Sequence, residues 1–209
     1  MREAVSSPVC LHVQGLSFRQ PHCQLFDGWS ASFSGGLSWI TGDEGVGKTT
    51  LLRLLAGEWA AAAGTVAWQD SAGTRALTSS EVFWQDPANA GLDDLPVQTY
   101  WLQCQARYPR WSADALALWT DRLSLTEHVG KSLFMLSTGS KRKVWLAAAM
   151  AAHASLTLLD EPYAALDQPS RLALRQQLTQ IAQQTECVWL VADHACPVDG
   201  APGQTLHLP

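Results

Sequence analysis

The stretch Gly42-Asp43-Glu44-Gly45-Val46-Gly47-Lys48-Thr49-Thr50, GDEGVGKTT, decides how the rest of the chain is read. Before it runs LSWIT, Leu37–Thr41, an apolar segment of strand length; into it folds TTLLRLLAG, Thr49–Gly57. The second segment is apolar on most faces, the mark of a buried helix, and Gly57 supplies its C-cap. The pattern G-x-x-x-x-G-K-[ST] is met by Gly42, Gly47, Lys48 and Thr49, and chance produces it in roughly one chain in a hundred of this length. Strand, glycine loop and buried helix in succession favour a phosphate cradle over an ordinary turn. Glycines let successive backbone N–H groups converge on one anion, and the helix adds its positive end. Lys48 would reach the β- and γ-phosphates, and Thr49 would place its hydroxyl on Mg²⁺.

A second segment answers the first. LTLLDEP, Leu156–Pro162, is a buried apolar strand ending in two adjacent acids. Successive strand residues diverge, but at the carboxyl end of a strand both can approach a bound phosphate, where open α/β sheets hold their ligands. Asp160 would serve Mg²⁺ and Glu161 would polarise an attacking water. Alone, an Asp-Glu-Pro after a strand reads as a helix entry; the glycine loop upstream reverses that.

The remaining pattern is α/β. Short strands are expected at Leu11–Val13, Ser30–Ser34 and Leu37–Ile40, with a turn at Gly35-Gly36, then at Thr65–Gln69 and near Val82–Trp84. From about Leu95 to Leu136 the pattern turns helical, with Trp101, Leu102, Leu116, Leu118, Trp119 and Leu123, and reads as an insert. A helix from Ser137, a strand Leu156–Leu159, a helix after Pro169 with Leu174, Leu178 and Ile181 in register, and a strand Cys187–Ala192 complete it. Alternating buried strands and helices predict a sheet with a parallel core.

The chain has 209 residues and a net charge of −5, with no basic stripe. That excludes an electrostatic footprint for nucleic acid. The one basic cluster, Lys141-Arg142-Lys143, reads as a solvated helix start. Five cysteines, Cys10, Cys23, Cys104, Cys187 and Cys196, form no Cys-x-x-Cys pair, which fits a reducing compartment. The N-terminal MREAVSSPVCLHVQ lacks the apolar core of a signal peptide, and the longest uncharged run, Val144–Leu159, is too short to span a membrane.

With these motifs in order, the chain resembles the nucleotide-binding subunit of an ATP-binding cassette (ABC) transporter over nearly its whole length. Aromatic loop, Walker A, Q-loop, signature, Walker B, D-loop and H-loop fall on Phe18, Gly42–Thr50, Gln85, Leu136–Ser140, Leu156–Glu161, Ala165–Asp167 and His194. The resemblance implies a P-loop NTPase-type, mostly parallel sheet core. It also implies an N-terminal antiparallel β subdomain and a small helical subdomain at about 95–150, all one domain over residues 1–209. It implies ATP and Mg²⁺ as cofactors and a second cassette facing the first head to tail. A separate transmembrane permease would be the other partner, and the chain would sit on the cytoplasmic face of the membrane, with no direct nucleic-acid contact.

Residue roles follow from the same resemblance. Gly42, Asp43, Glu44, Gly45, Val46, Gly47, Lys48, Thr49 and Thr50 would cradle the phosphates, with Phe18 beside the base. Ser137 and Gly139 would touch the nucleotide of the facing cassette. Thr49, Gln85 and Asp160 would serve the metal; Glu161, His194 and Gln85 would serve hydrolysis. Asp167 would cross the interface between cassettes. The segments LLRLLAG and GTVAWQ resemble the short cassettes of cytochrome-c-type haem exporters, in which the haem would not touch this subunit.

Departures from the family pattern are the signature LSTGS, with Thr138 for a glycine and Ser140 for a glutamine, and Asp43-Glu44 in the loop. The ten tryptophans are also unusual; most would be packing residues, while Trp84 and Trp101 flank the region that meets a permease. Two alternatives stand beside the transporter reading: a soluble ABC-type ATPase acting on DNA or ribosomes, and a regulatory cassette that binds ATP with weak hydrolysis.

Overall fold

The computed structural model describes residues 8–21, 23–87, 89–194 and 203–209. In chain order the strands are β1 (Cys10–Gln20), β2 (Cys23–Ser34), β3 (Gly36–Thr41), β4 (Ala63–Asp70), β5 (Gly73–Arg75), β6 (Val82–Trp84), β7 (Leu156–Asp160), β8 (Val188–Ala192) and β9 (Gln204–His207). The helices are α1 (Lys48–Leu55), α2 (Val97–Arg107), α3 (Ala113–Arg122), α4 (Thr138–Ala152) and α5 (Gln168–Ile181).

The strands make two sheets. One is antiparallel with order β2-β1-β4-β5; the other has order β6-β7-β8-β3-β9, and every pairing in it is parallel. GLSWIT in β3 and VWLVA in β8 are buried at every position, the near-continuous apolar run of a parallel strand covered on both faces. Period-two alternation then divides the core. Leu37, Trp39, Leu159 and Val191 pack toward α2, α3, α4 and α5; Ile40, Leu158 and Leu190 pack toward α1 and the antiparallel sheet, meeting Leu11, Phe33, Leu51 and Trp68.

Local chemistry sets the helix ends. Ser112, Ser137 and Asp167 cap α3, α4 and α5 through side-chain oxygens that accept from Ala115, Ser140 and Ser170 backbone N–H groups. The cap on Asp167 puts Pro169 inside the first turn of α5, so this helix starts before the proline and not after it. α1 stops in a Schellman motif at Gly57, with Glu58 N–H bonding Arg53 O at 3.0 Å and Gly57 N–H bonding Leu54 O at 3.1 Å.

Three expectations shift. Leu102 and Leu118 sit on solvent-facing positions, 62% and 47% exposed, although they fit the apolar helical pattern. Trp101, expected to flank the region that meets a permease, is buried, and its indole N–H donates to the Val144 carbonyl at 3.2 Å. Strands β1 and β2 run to 11 and 12 residues, well beyond the three and five expected, because β-bulges carry the ladder past Gly15 and Gly28. Strands β5 and β9, short and polar, carried no readable pattern. No helix among the described residues is long and apolar enough to cross a membrane. Cys196 lies outside the described residues.

Candidate active site

Strands β7, β8 and β3 are neighbours, paired so that Asp160 and Ile40 both align with Ala192. Their carboxyl ends therefore open side by side, and three segments far apart in sequence meet there. From β3 comes the glycine loop. Gly47 adopts φ +102° at the N-cap of α1, and a Cβ there would press on the Phe26 ring at 3.3 Å. Asp43, Glu44 and Gly45 are exposed, Gly42 and Thr50 are buried, and Val46 is half-buried. Lys48 is buried, and its ammonium donates to the carbonyls of Gly42 at 2.7 Å and Asp43 at 2.8 Å. The lysine thus spans the mouth of its own loop.

From β7 come the two acids. The Thr49 hydroxyl donates to Asp160 Oδ2 at 2.6 Å, which ties the loop to the strand end. Burial pushes the Asp160 carboxyl up from its ordinary range, with the Thr49 bond pulling the other way. Glu161 leaves the strand in a left-handed conformation, φ +43°, while its N–H still bonds Ala192 O at 2.8 Å. A left-handed non-glycine residue costs about 1 kcal/mol or more. It resolves the divergence expected of adjacent strand residues: Asp160 turns to Thr49, and Glu161 turns to β8. There His194 Nε2 faces Glu161 Oε1 at 3.1 Å. Asp193, next to it, also has its carboxyl pushed up by burial.

Gln85 approaches from β6 and lines a small cavity with Asp160, but its side chain is engaged elsewhere. The Tyr100 hydroxyl of α2 donates to Gln85 Oε1 at 3.3 Å, and Gln85 Nε2 donates to the Asp86 carbonyl at 3.3 Å. Phe18 is not brought to the loop. Its ring stacks on Trp59 at 5.6 Å between centroids, and Arg53 lies over the same indole at 4.7 Å. The open depression over Lys48, about 360 Å³, is walled instead by Gln20 and Leu25 of the first hairpin, with Glu161 and His194 opposite. Gln20 and Leu25 gave no signal in sequence, because only the hairpin register brings them there.

The signature segment sits at the start of α4. Ser137 is exposed, and its hydroxyl donates to Ser140 Oγ at 3.0 Å. Gly139 is buried, and for an intramolecular reason: a Cβ there would lie 2.2 Å from the Ala165 carbonyl oxygen. The basic triplet is not a solvated helix start. Lys141 pairs with Asp93 at 2.5 Å, Lys143 pairs with Asp167, and Arg142 is buried with Nη1 donating to the Ala164 carbonyl at 2.7 Å.

Residues 32–164 match the family described as ABC transporter. The cytochrome c biogenesis ATP-binding export protein CcmA of Haemophilus ducreyi is 34% identical over 165 residues, covering 75% of this chain and 77% of that protein. The aliphatic sulfonates import ATP-binding protein SsuB 1 of Agrobacterium fabrum is 31% identical over 160 residues, but the match covers only 54% of its length. Among solved structures, an ATP-binding subunit of an ABC transporter aligns with a TM-score of 0.75 over 95% of this chain and 85% of that chain, at 17% identity. An ABC transporter ATP-binding protein from Pyrococcus furiosus aligns with a TM-score of 0.74 over 95% and 97%, also at 17% identity. The chain belongs to the ABC transporter family.

Proposed function

We propose that this chain binds and hydrolyses ATP to drive a separate membrane-spanning permease, working as one of two cassettes that face each other head to tail on the cytoplasmic side of the membrane. One observation carries the reading: the 2.6 Å bond from Thr49 to Asp160, which joins the phosphate loop to the acidic strand end with Glu161 and His194 beside it.

The donor set fits Mg²⁺. A hydroxyl and a carboxylate are hard oxygen ligands, and the carboxylate is half-desolvated, so a cation would relieve it. Thr49 and Asp160 would hold Mg²⁺, which would supply positive charge against the charge that develops on the phosphates. Gln85 would join that set only after leaving Tyr100.

The chain's own residues divide the rest of the work. Loop N–H groups and the start of α1 take the phosphates. Lys48 exchanges its two carbonyls for phosphate oxygens. Glu161 orients the attacking water and accepts its proton, and His194 holds the carboxylate in place before turning to the γ-phosphate. Ser137 and the first N–H groups of α4 meet the nucleotide of the facing cassette. Gly139 contributes by letting the turn at Ala165 pack against α4. Phe18 would stand beside the base only after leaving Trp59.

Among transport systems, the likeness to the export protein of cytochrome c biogenesis favours that class. Glu161→Gln tests the hydrolytic assignment. The variant should retain ATP and gather as an ATP-bound dimer in size-exclusion chromatography; wild-type turnover would sink the assignment.

A further inference from the structure

Arg142 is the unusual member of its triplet. Its neighbours reach outward to carboxylates, whereas Arg142 turns inward and is 9% exposed. A buried guanidinium persists only where it is bonded or matched by opposite charge. Its bond is to a backbone carbonyl, that of Ala164. Its match is collective: among the described residues no carboxylate lies within 4.0 Å of it, yet Glu161, Asp160 and Asp193 all attract it.

The bond lands on a turn that needs holding. Ala164 N–H bonds back to the Glu161 carbonyl at 3.0 Å, so two hydrogen bonds link the guanidinium to the backbone of Glu161. Glu161, at one end of this link, and Ala165, the residue after Ala164, are both left-handed, with φ +43° and +58°. Arg142 also lines the small cavity that contains Gln85, Asp160 and Pro162.

We propose that Arg142 is a positioning residue for hydrolysis, holding the turn that aims Glu161 and offsetting the crowding of Asp160, Glu161 and Asp193. The proposal rests on Glu161 as the water-orienting carboxylate. Because Arg142 and Ser137 share α4, a helix that faces one nucleotide is bolted to the hydrolytic centre of the other. A shift of α4 is then felt at Glu161 without any contact between the two nucleotides.

The test compares Arg142→Lys and Arg142→Gln in steady-state ATP turnover, with ATP binding and thermal unfolding measured on each. Both keep a donor for Ala164, and only lysine keeps the charge. The expected result for Arg142→Gln is a kcat lower by about 10- to 100-fold with KM little changed, the scale of a misplaced catalytic group. Arg142→Lys should recover most of the loss. Wild-type kcat in folded Arg142→Gln overturns the proposal. So does a folded Arg142→Lys that falls as far as the glutamine variant, or a loss that appears in ATP binding instead of kcat. Glu161→Gln runs alongside: if it turns over normally, the assignment of Glu161 fails and the proposal with it; if it is dead while Arg142→Gln is active, only the proposal fails.

Discussion

Gly139→Ala puts the packing account of the signature segment at risk. Helix propensity alone predicts that the change stabilises, by up to about 1 kcal/mol. The structure predicts the opposite sign. The added methyl would lie 2.2 Å from the Ala165 oxygen, and relief to an ordinary contact needs a movement of nearly 1 Å. The turn has little freedom to give it, being bound at Ala164 by Arg142 and at Asp167 by Lys143 and Ser170. An overlap this deep with a backbone atom takes the upper part of the overpacking range, about 2–3 kcal/mol, which leaves a net loss of about 1–2 after the propensity gain. For a domain of this size that is a fall of roughly 2–8 °C in Tm. Thermal unfolding of the nucleotide-free chain reads it directly, with Gly130→Ala as the control, since nothing lies within 4 Å of a Cβ there. A Gly139→Ala protein as stable as wild type, or more so, would refute the packing account and return this glycine to a role toward the facing nucleotide alone.

Lys48→Met should weaken ATP binding by more than about tenfold, since charge-assisted bonds contribute about 1.5–3 kcal/mol each; calorimetry with and without Mg²⁺ measures it, and unchanged affinity would remove Lys48 from the site. Hydrogen bonds from Arg75 hold the Glu81 carboxyl down at about 2, so its contribution is present above the ordinary value of 4.5 and lost as pH falls toward 2. Glu81→Gln should therefore cost about 0.5–1 kcal/mol at pH 7, a figure reduced for solvent exposure, and converge with wild type under acid in urea titrations; a gap that persists at low pH would be inconsistent with this. Cys23 is exposed, whereas burial pushes the Cys104 thiol up to about 11. A maleimide at pH 7 should label Cys23 at once and Cys104 only on unfolding, as mass spectrometry of the peptides would reveal.

Most of the parallel core was legible because it is written in apolar runs. LSWIT, LTLLD and VWLVA each end at a loop of chemical groups, and the sheet sets those ends side by side. What escaped reading was local geometry that no spacing encodes. The left-handed turn at Glu161 lets two adjacent acids serve different partners, and nothing in DEP announces it. Phe18 occupies a plausible slot by order alone, but Trp59 takes its ring. Arg142 read as a surface charge because its two neighbours are lysines; its burial follows from the turn after β7, which lies outside the window that a helix pattern examines. Strand β9 is short and polar, and its place beside β3 is set by pairing across the whole chain.

The side-by-side strands also impose an order on biosynthesis. Residues 36–41 leave the ribosome long before 188–192, by roughly 10–30 s at a translation rate of about 5–20 residues per second, yet the two are hydrogen-bonded neighbours in the finished sheet. Over that interval β3 and the apolar helix behind it have no sheet partner on either side, and both are sticky. A nascent chain of this kind is a natural client for a holding chaperone, and a pause or truncation before β8 would release an aggregation-prone fragment with no working loop.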